Sequence, residues 1–460
     1  MEAAESDELP LDRGALSYRG PRDEESRKRD AGALVVLESK GGWVHAGYHL
    51  STSIAAPPLI TLPYAFTLLG WGCGTVMLIL GAVVTFYAYN LLAVVIEEID
   101  ARGRRHLRFR DVGEDIIGPW FGRGVVYPLQ AIVCLGANIG YTLLGGTSMK
   151  IIYRLYSPDG NLKLYHFIIF FAIAMILVAQ LPSFHSLRYV NFLSLILTLA
   201  YSFLIAGASI YLGYSNKAPP RDYSLKGSQA DKIFGAFLSL SIIATIYGNG
   251  IIPEIQGTLA PPVVGKMFKG LTVAYAVVFS TYFTVAFSGY WAFGNLATPN
   301  IFSSFLEKDG TSLVPNWLIV VPNILVILQL IAAAAVYCQP IFDLLEAKTA
   351  DAEQHRFAPR NLIARLISRT SFLILTTLVA AVLPFFGDLV AAIGAVAFTP
   401  LDFIFPMLFY ILVFKPPKRS IKFWGNLIIV VAYSLVAVAG IVSSIRQLVV
   451  DSTSQAPWDI

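Results

Sequence analysis

The sequence predicts an all-α polytopic membrane protein of eleven transmembrane helices. Three observations predict it. The chain is 56% hydrophobic, with a mean hydropathy of +0.63. Only 14% of its residues are charged, where soluble domains run near a quarter. Its apolar residues come in runs of about twenty or more, not in 3.6-residue stripes. Alternating segments of about ten residues, the mark of a membrane β-barrel, are absent.

Residues 1–32 mix acidic and basic groups with Pro and Gly and have no apolar core. They read as a disordered cytoplasmic tail, with no signal peptide. Residues 33–460 form the membrane domain. The expected spans are 46–69, 72–96, 124–150, 165–181, 190–212, 233–260, 267–293, 316–345, 364–386, 388–414 and 422–447. The fourth is short for a thirty-ångström hydrocarbon core. Gly136, Gly145 and Gly146 in the third allow close helix approach.

The first and sixth spans are interrupted. The first carries Pro57, Pro58 and Pro63; the sixth carries Gly248, Asn249, Gly250 and Pro253, followed by Glu254. Gly loosens a helix and Pro removes an amide donor. In hydrocarbon, freed backbone groups are tolerated only where protein or a water-filled cavity satisfies them. Five spans separate the two starts, so the interrupted spans run in opposite directions. That is the arithmetic of an inverted repeat, 46–212 against 233–414, with 422–447 appended. Pro63 and Pro253 each suit the first turn of a second half-helix.

Charge sets the orientation. With the amino terminus cytoplasmic, inner segments hold 25 of the 34 lysines and arginines. The positive-inside rule then places the carboxyl terminus outside. The basic run 102–110 and the cluster 415–419 are read as topology determinants rather than as anionic-lipid sites. Cys73, Cys134 and Cys338 form no disulfide or metal spacing, and no Asn-x-Ser/Thr sequon occurs.

Each interruption offers free carbonyls at one half-helix end and free amides at the other. In the first span, the carbonyls come from Ala55 and Ala56, and the amides from Thr61, Leu62 and Tyr64. In the sixth, the carbonyls come from Ala244 to Tyr247, Thr245 and Tyr247 among them, and the amides from about Gly250 to Glu254. Gly248 and Asn249 lie at the interruption itself. Such a site suits a zwitterion, with carboxylate on amides and ammonium on carbonyls. A Pro-kinked helix without ligand is the competing reading of either interruption alone. Asn138 and Tyr141 in the third span could complete the pocket, as could Asn323, Gln329 and Tyr337 in the eighth. Each also suits a plain interhelical hydrogen bond.

Carboxyl groups at membrane depth are site candidates by default. Glu254 and Asp402 are the two clearest proton-coupling candidates, and Asp388 sits near the outer face. For Glu254, burial favours the neutral acid and a half-helix N-terminus favours the carboxylate. The residues leave a proton-carrying and a capping role both open. Asp402, between Pro400 and Pro406, is expected to cap a broken tenth span. His45, His49 and His185 are read as interfacial packing, not as metal ligands.

The sequence resembles the amino acid/auxin permease family, and most closely its plant γ-aminobutyrate transporter branch. The likeness is carried by 47–57 (GYHLSTSIAAP), 61–66 (TLPYAF), 108–111 (RFRD), 182–189 (PSFHSLRY) and 247–256 (YGNGIIPEIQ). It continues through 289–294 (GYWAFG), 383–388 (LPFFGD) and 400–402 (PLD). The resemblance implies a LeuT-type inverted-repeat fold of eleven spans. It implies proton-coupled uptake of small amino acids such as γ-aminobutyrate or proline, usually at the plasma membrane, with substrate at the two interruptions. Auxin carriers of the family would lead one to expect a histidine near the sixth-span interruption, where this chain has Tyr247 and Asn249. A transport-dead amino acid sensor of the same fold is a further alternative. No P-loop, nucleophile elbow or metal motif points to an enzyme, a cofactor or a nucleic-acid partner. No charged ring or filter points to a channel.

Overall fold

The computed structural model describes residues 41–180, 187–260, 263–307, 309–349, 358–383 and 385–454. The expected tail, 1–32, lies outside the described residues, as does His185. The described residues are helical, joined by turns and two isolated β-bridges. Nine helices among them are long and apolar enough to cross a membrane, and a tenth, Leu164–Ala179, is apolar but shorter.

The described residues open with α1 (Trp43–Ile54), two non-helical residues, a 3-10 turn (Pro57–Thr61) and α2 (Leu62–Ala101). Inside α2 the backbone leaves helical geometry at Gly70, with φ 72° and ψ 177°. A side chain there would be strained, so glycine fits the corner. That corner falls in the gap left between the first two expected spans, at 70–71.

A short helix, α3 (Phe109–Ile116), precedes α4 (Tyr127–Tyr156) and α5 (Leu164–Ala179). Then come α6 (Leu187–Tyr214), α7 (Gln229–Tyr247), the stub α8 (Ile252–Gly257) and α9 (Lys266–Phe293). The chain continues through α10 (Trp317–Thr349), α11 (Pro359–Val382) and α12 (Phe386–Ile393). An eleven-residue π-helix (Gly394–Ile404) leads into α13 (Phe405–Phe414), and α14 (Ile421–Ser454) closes the fold.

The tenth apolar segment is therefore not split into two half-helices. Pro400 lacks the amide that an α-helical turn needs, and the backbone widens to π geometry around it. The cap of a broken tenth span, a role the sequence offered for Asp402, therefore does not form. The Asp402 carboxylate reaches the link between α7 and α8 instead, as described below.

Packing centres on the interrupted elements. Helix α1 lies against α6 and α9, and α7 lies against α2, α12 and the π-helix. Helix α4 packs on α10, with α5 behind α4 and α11 behind α10. Gly136 and Gly145 of α4 admit Ile393 and Phe171 where a Cβ would stand only 2.5 and 2.4 Å away. Large apolar side chains such as Val83, Leu177, Phe279, Leu378 and Leu435 are each more than half exposed on the outside. In water such a surface is a liability; against acyl chains it is the required one.

Candidate functional site

Two helix interruptions meet at the centre of the fold. Helix α1 stops at Ile54, and Pro57 restarts the chain as a 3-10 turn. Helix α7 stops at Tyr247, and Ile252 opens α8 after four non-helical residues. Pro63 and Pro253 both sit in a first helical turn, where a missing N–H costs nothing. At the second interruption Gly250 takes φ 66°, a left-handed conformation that side chains disfavour.

The freed backbone groups are largely satisfied by side chains from neighbouring helices. The Tyr282 hydroxyl of α9 lies 2.6 Å from both the Ile54 and the Ile246 carbonyl oxygens. It carries one proton, so it serves one carbonyl at a time. The Tyr337 hydroxyl of α10 reaches the Ser53 and Asn249 carbonyls, each at 3.1 Å. The Tyr89 hydroxyl of α2 donates to the Tyr247 carbonyl at 2.8 Å, and Thr198 Oγ1 of α6 donates to the Ala55 carbonyl at 3.3 Å.

The amide ends differ from expectation. Pro57 and Pro58 have no N–H to offer, and Thr61, Leu62 and Tyr64 lie inside the helical run that follows. At the second interruption the amides are already held. Asn249 N donates to Asp402 Oδ2 at 3.1 Å, and Gly250 N donates to Asp402 Oδ1 at 3.0 Å. The side chain of Asn249 closes the local geometry. Its Oδ1 accepts from Ile251 N, and its Nδ2 donates to Ser53 Oγ at 2.6 Å.

A cavity of about 30 Å³ opens between the interruptions, room for a water or two. Of the expected residues, Ala56, Tyr141, Thr245 and Gly248 line it. Ala55, Thr61, Leu62, Tyr64, Asn138, Tyr247, Asn249, Gly250 and Asn323 do not. Asn138 bonds instead to the Cys134 carbonyl and to Cys338 Sγ, and Asn323 Nδ2 bonds to the Ile319 carbonyl.

Sequence reasoning missed the opposite wall: Phe386, Val390, Ile393 and Phe398, from α12 and the π-helix. Apolar residues in an apolar span carry no signal of this kind. Gly136 and Gly140, four apart on α4, also line the cavity, and that spacing is a legible mark of close approach. Ser53 and Tyr337 supply hydroxyls, and the rings of Tyr141 and Tyr337 meet edge to face at 5.9 Å. Aromatic faces and carbonyl oxygens can receive an ammonium group. No group of three His, Cys, Asp or Glu side chains able to hold a metal occurs among the described residues.

Glu254 lies in the first turn of α8, just past the second interruption. Its Oε1 accepts from Phe109 N at the start of α3 and from Gln130 Nε2, at 3.0 and 2.7 Å. Gln130 also donates to the Gly250 carbonyl. Glu254 thus ties the stub α8 to α3 and α4.

Comparison with known proteins agrees with this geometry. The family described as transmembrane amino acid transporter protein matches residues 39–446. The chain is 49% identical to GABA transporter 1 of Arabidopsis thaliana, over 92% of its own length and 94% of that protein. It is 31% identical to lysine histidine transporter-like 3 of the same plant, over 90% of each chain. Lysine histidine transporter-like 1 is 29% identical over 96% of each. These relatives are named as transporters and not as enzymes. The chain is an integral membrane protein of the transmembrane amino acid transporter family.

Proposed function

We propose that the chain is a secondary active, proton-coupled symporter of small amino acids, with γ-aminobutyrate and proline the leading substrates. The observation that carries this reading is the cavity between two facing helix interruptions. A 49% identical relative is named for γ-aminobutyrate. Substrate enters a polar seam made by Ser53, Ala56, Thr245 and Gly248, with Tyr141 and Tyr337 over it. The cavity is smaller than an amino acid, so binding moves the aromatic wall, Phe398 above all. Glu254 and Asp402 are the candidates for carrying the proton.

Dividing α2 at Gly70 and counting the short α5 supports a reading of eleven spans. The packing supports an inverted repeat of the LeuT type. Exchanging each of the first five spans with its counterpart five later turns α1 on α9 into α7 on α2. The same exchange turns α1 on α6 into α7 on α12, and α4 on α5 into α10 on α11. Both members of each pair are packed together. The reading has the amino terminus in the cytoplasm, the carboxyl terminus outside, and the plasma membrane as its location.

Uptake of radiolabelled γ-aminobutyrate, proline, lysine, histidine and auxin by cells expressing the chain tests the substrate. Acid-stimulated uptake of the first two is expected, with poor competition by equivalent acids lacking the amine. Preferential auxin uptake would overturn the substrate class, and no uptake at all would favour a sensor. An antibody to a tag after Ile460 should bind unpermeabilised cells; binding only after permeabilisation would mean an even number of spans.

A further inference from the structure

We propose that Asp402 is the residue that binds the transported proton, and that its protonation acts on the substrate cavity through the Asn249 and Gly250 amides. The proposal rests on the proton-coupled reading above. It begins from a carboxylate that is 1% exposed, in the middle of the fold, on a π-helical segment. A buried carboxylate needs a compensating charge or a full set of hydrogen bonds. Asp402 is in no salt bridge among the described residues, and its partners are two consecutive backbone amides and a tyrosine.

The side chains that interact with it electrostatically are tyrosine hydroxyls. Tyr89 comes from α2, Tyr275 from α9 and Tyr337 from α10. On α7, Tyr247 turns its own hydroxyl away to the Leu78 carbonyl. On α14, Tyr433 stacks on Phe403 at 4.4 Å. Glu254 is held separately by Phe109 N and Gln130. Nothing cationic among these fixes Asp402 in its ionised form, so a proton is the charge that can neutralise it.

The two protonation states make different bonds. Ionised, both oxygens accept, and the Asn249 and Gly250 amides share them. Protonated, one oxygen becomes a donor and needs an acceptor. Tyr89, which gives its own proton to the Tyr247 carbonyl, faces the same carboxyl group. The amides then lose one of two acceptors. Asn249 also holds Ser53 by its side chain and Tyr337 by its carbonyl, and Ser53, Tyr337 and Gly248 line the cavity. Loosening the Asn249–Gly250 peptide therefore moves the wall that contacts substrate. A proton taken from outside water opens this lock, and its release to the cytoplasm restores it.

The test uses the full chain in liposomes with radiolabelled γ-aminobutyrate. One proton per substrate supports about tenfold accumulation per pH unit, ordinary affinity arithmetic applied to a gradient. Asp402→Asn should retain counterflow exchange yet lose accumulation and its dependence on external pH. Tyr89→Phe should slow uptake, since the Tyr247 carbonyl loses its donor, and should shift the midpoint of the pH profile, because a group facing the carboxyl is removed. Wild-type accumulation and pH profile in Asp402→Asn would overturn the proposal. Should that variant not insert, an unshifted midpoint in Tyr89→Phe would overturn it equally. A wild-type chain that carries no amino acid would instead sink the transporter reading itself.

Discussion

Asn249 Nδ2 donates to Ser53 Oγ across 2.6 Å, and this contact joins the two interrupted helices directly. Both side chains do further work. Asn249 Oδ1 accepts from Ile251 N, and Ser53 Oγ donates to the His49 carbonyl. Removing Asn249 leaves the buried Ile251 amide without its acceptor, a loss of about 1–3 kcal/mol. Asn249→Ala should therefore cut uptake at least tenfold at unchanged surface density. Ser53→Ala should be milder, since Asn249 keeps its local bond. In a double-mutant cycle the two effects should fall well short of their sum. Full additivity would mean the contact does not couple the interruptions.

Tyr282 holds the Ile54 and Ile246 carbonyls from α9. Tyr282→Phe keeps the ring, which packs on Tyr247 at 5.1 Å, and removes only the hydroxyl. The Ile54 carbonyl keeps the Ala56 amide at 2.7 Å, so the Ile246 carbonyl bears the loss, again about 1–3 kcal/mol. Purified protein should melt at lower temperature, and uptake should fall. An unchanged melting temperature would show that water replaces the hydroxyl at no cost.

Both interruptions were legible because Pro and Gly act locally. Pro57, Pro63, Gly250 and Pro253 change the backbone wherever they occur, so their effect needs no partner. The groups that satisfy the interruptions are the opposite case. Tyr89, Tyr282 and Tyr337 look like any apolar-span tyrosine until the helices pack. Asp402 was legible as a buried acid but not as the acceptor for Asn249, which is 153 residues away. Its own segment also misled, because Pro400 suggested a broken helix where the chain widens into π geometry. The cavity wall from Phe386 to Phe398 was invisible for a simpler reason, since any apolar side chain could stand there.

Gly250 adopts φ 66°, and an added Cβ would stand 3.1 Å from Val133 Cγ1. The conformation alone costs an L-residue about 1–2 kcal/mol, and β-branching makes it worse. Gly250→Ala should reduce uptake, and Gly250→Val should abolish it while the protein still reaches the cell surface. Normal uptake by the valine variant would mean that this corner straightens without consequence for transport.

Glu254 separates a latch from a proton carrier. Its Oε1 accepts from Phe109 N and Gln130 Nε2, and Gln130 also holds the Gly250 carbonyl. A glutamine at 254 retains one carbonyl oxygen able to accept the Phe109 amide, but it cannot ionise. Glu254→Gln should therefore transport more slowly with the dependence on external pH intact. Glu254→Ala leaves the Phe109 amide and the Gln130 side chain short of an acceptor and frees α8 from α3. It should show a larger fall in uptake and faster proteolysis of the loop between α2 and α3. The decisive readout is the pH profile of the glutamine variant. If it accumulates γ-aminobutyrate without regard to external pH, the proton rides on Glu254, and Asp402 keeps only the structural half of its role, as the acceptor that shapes the second interruption.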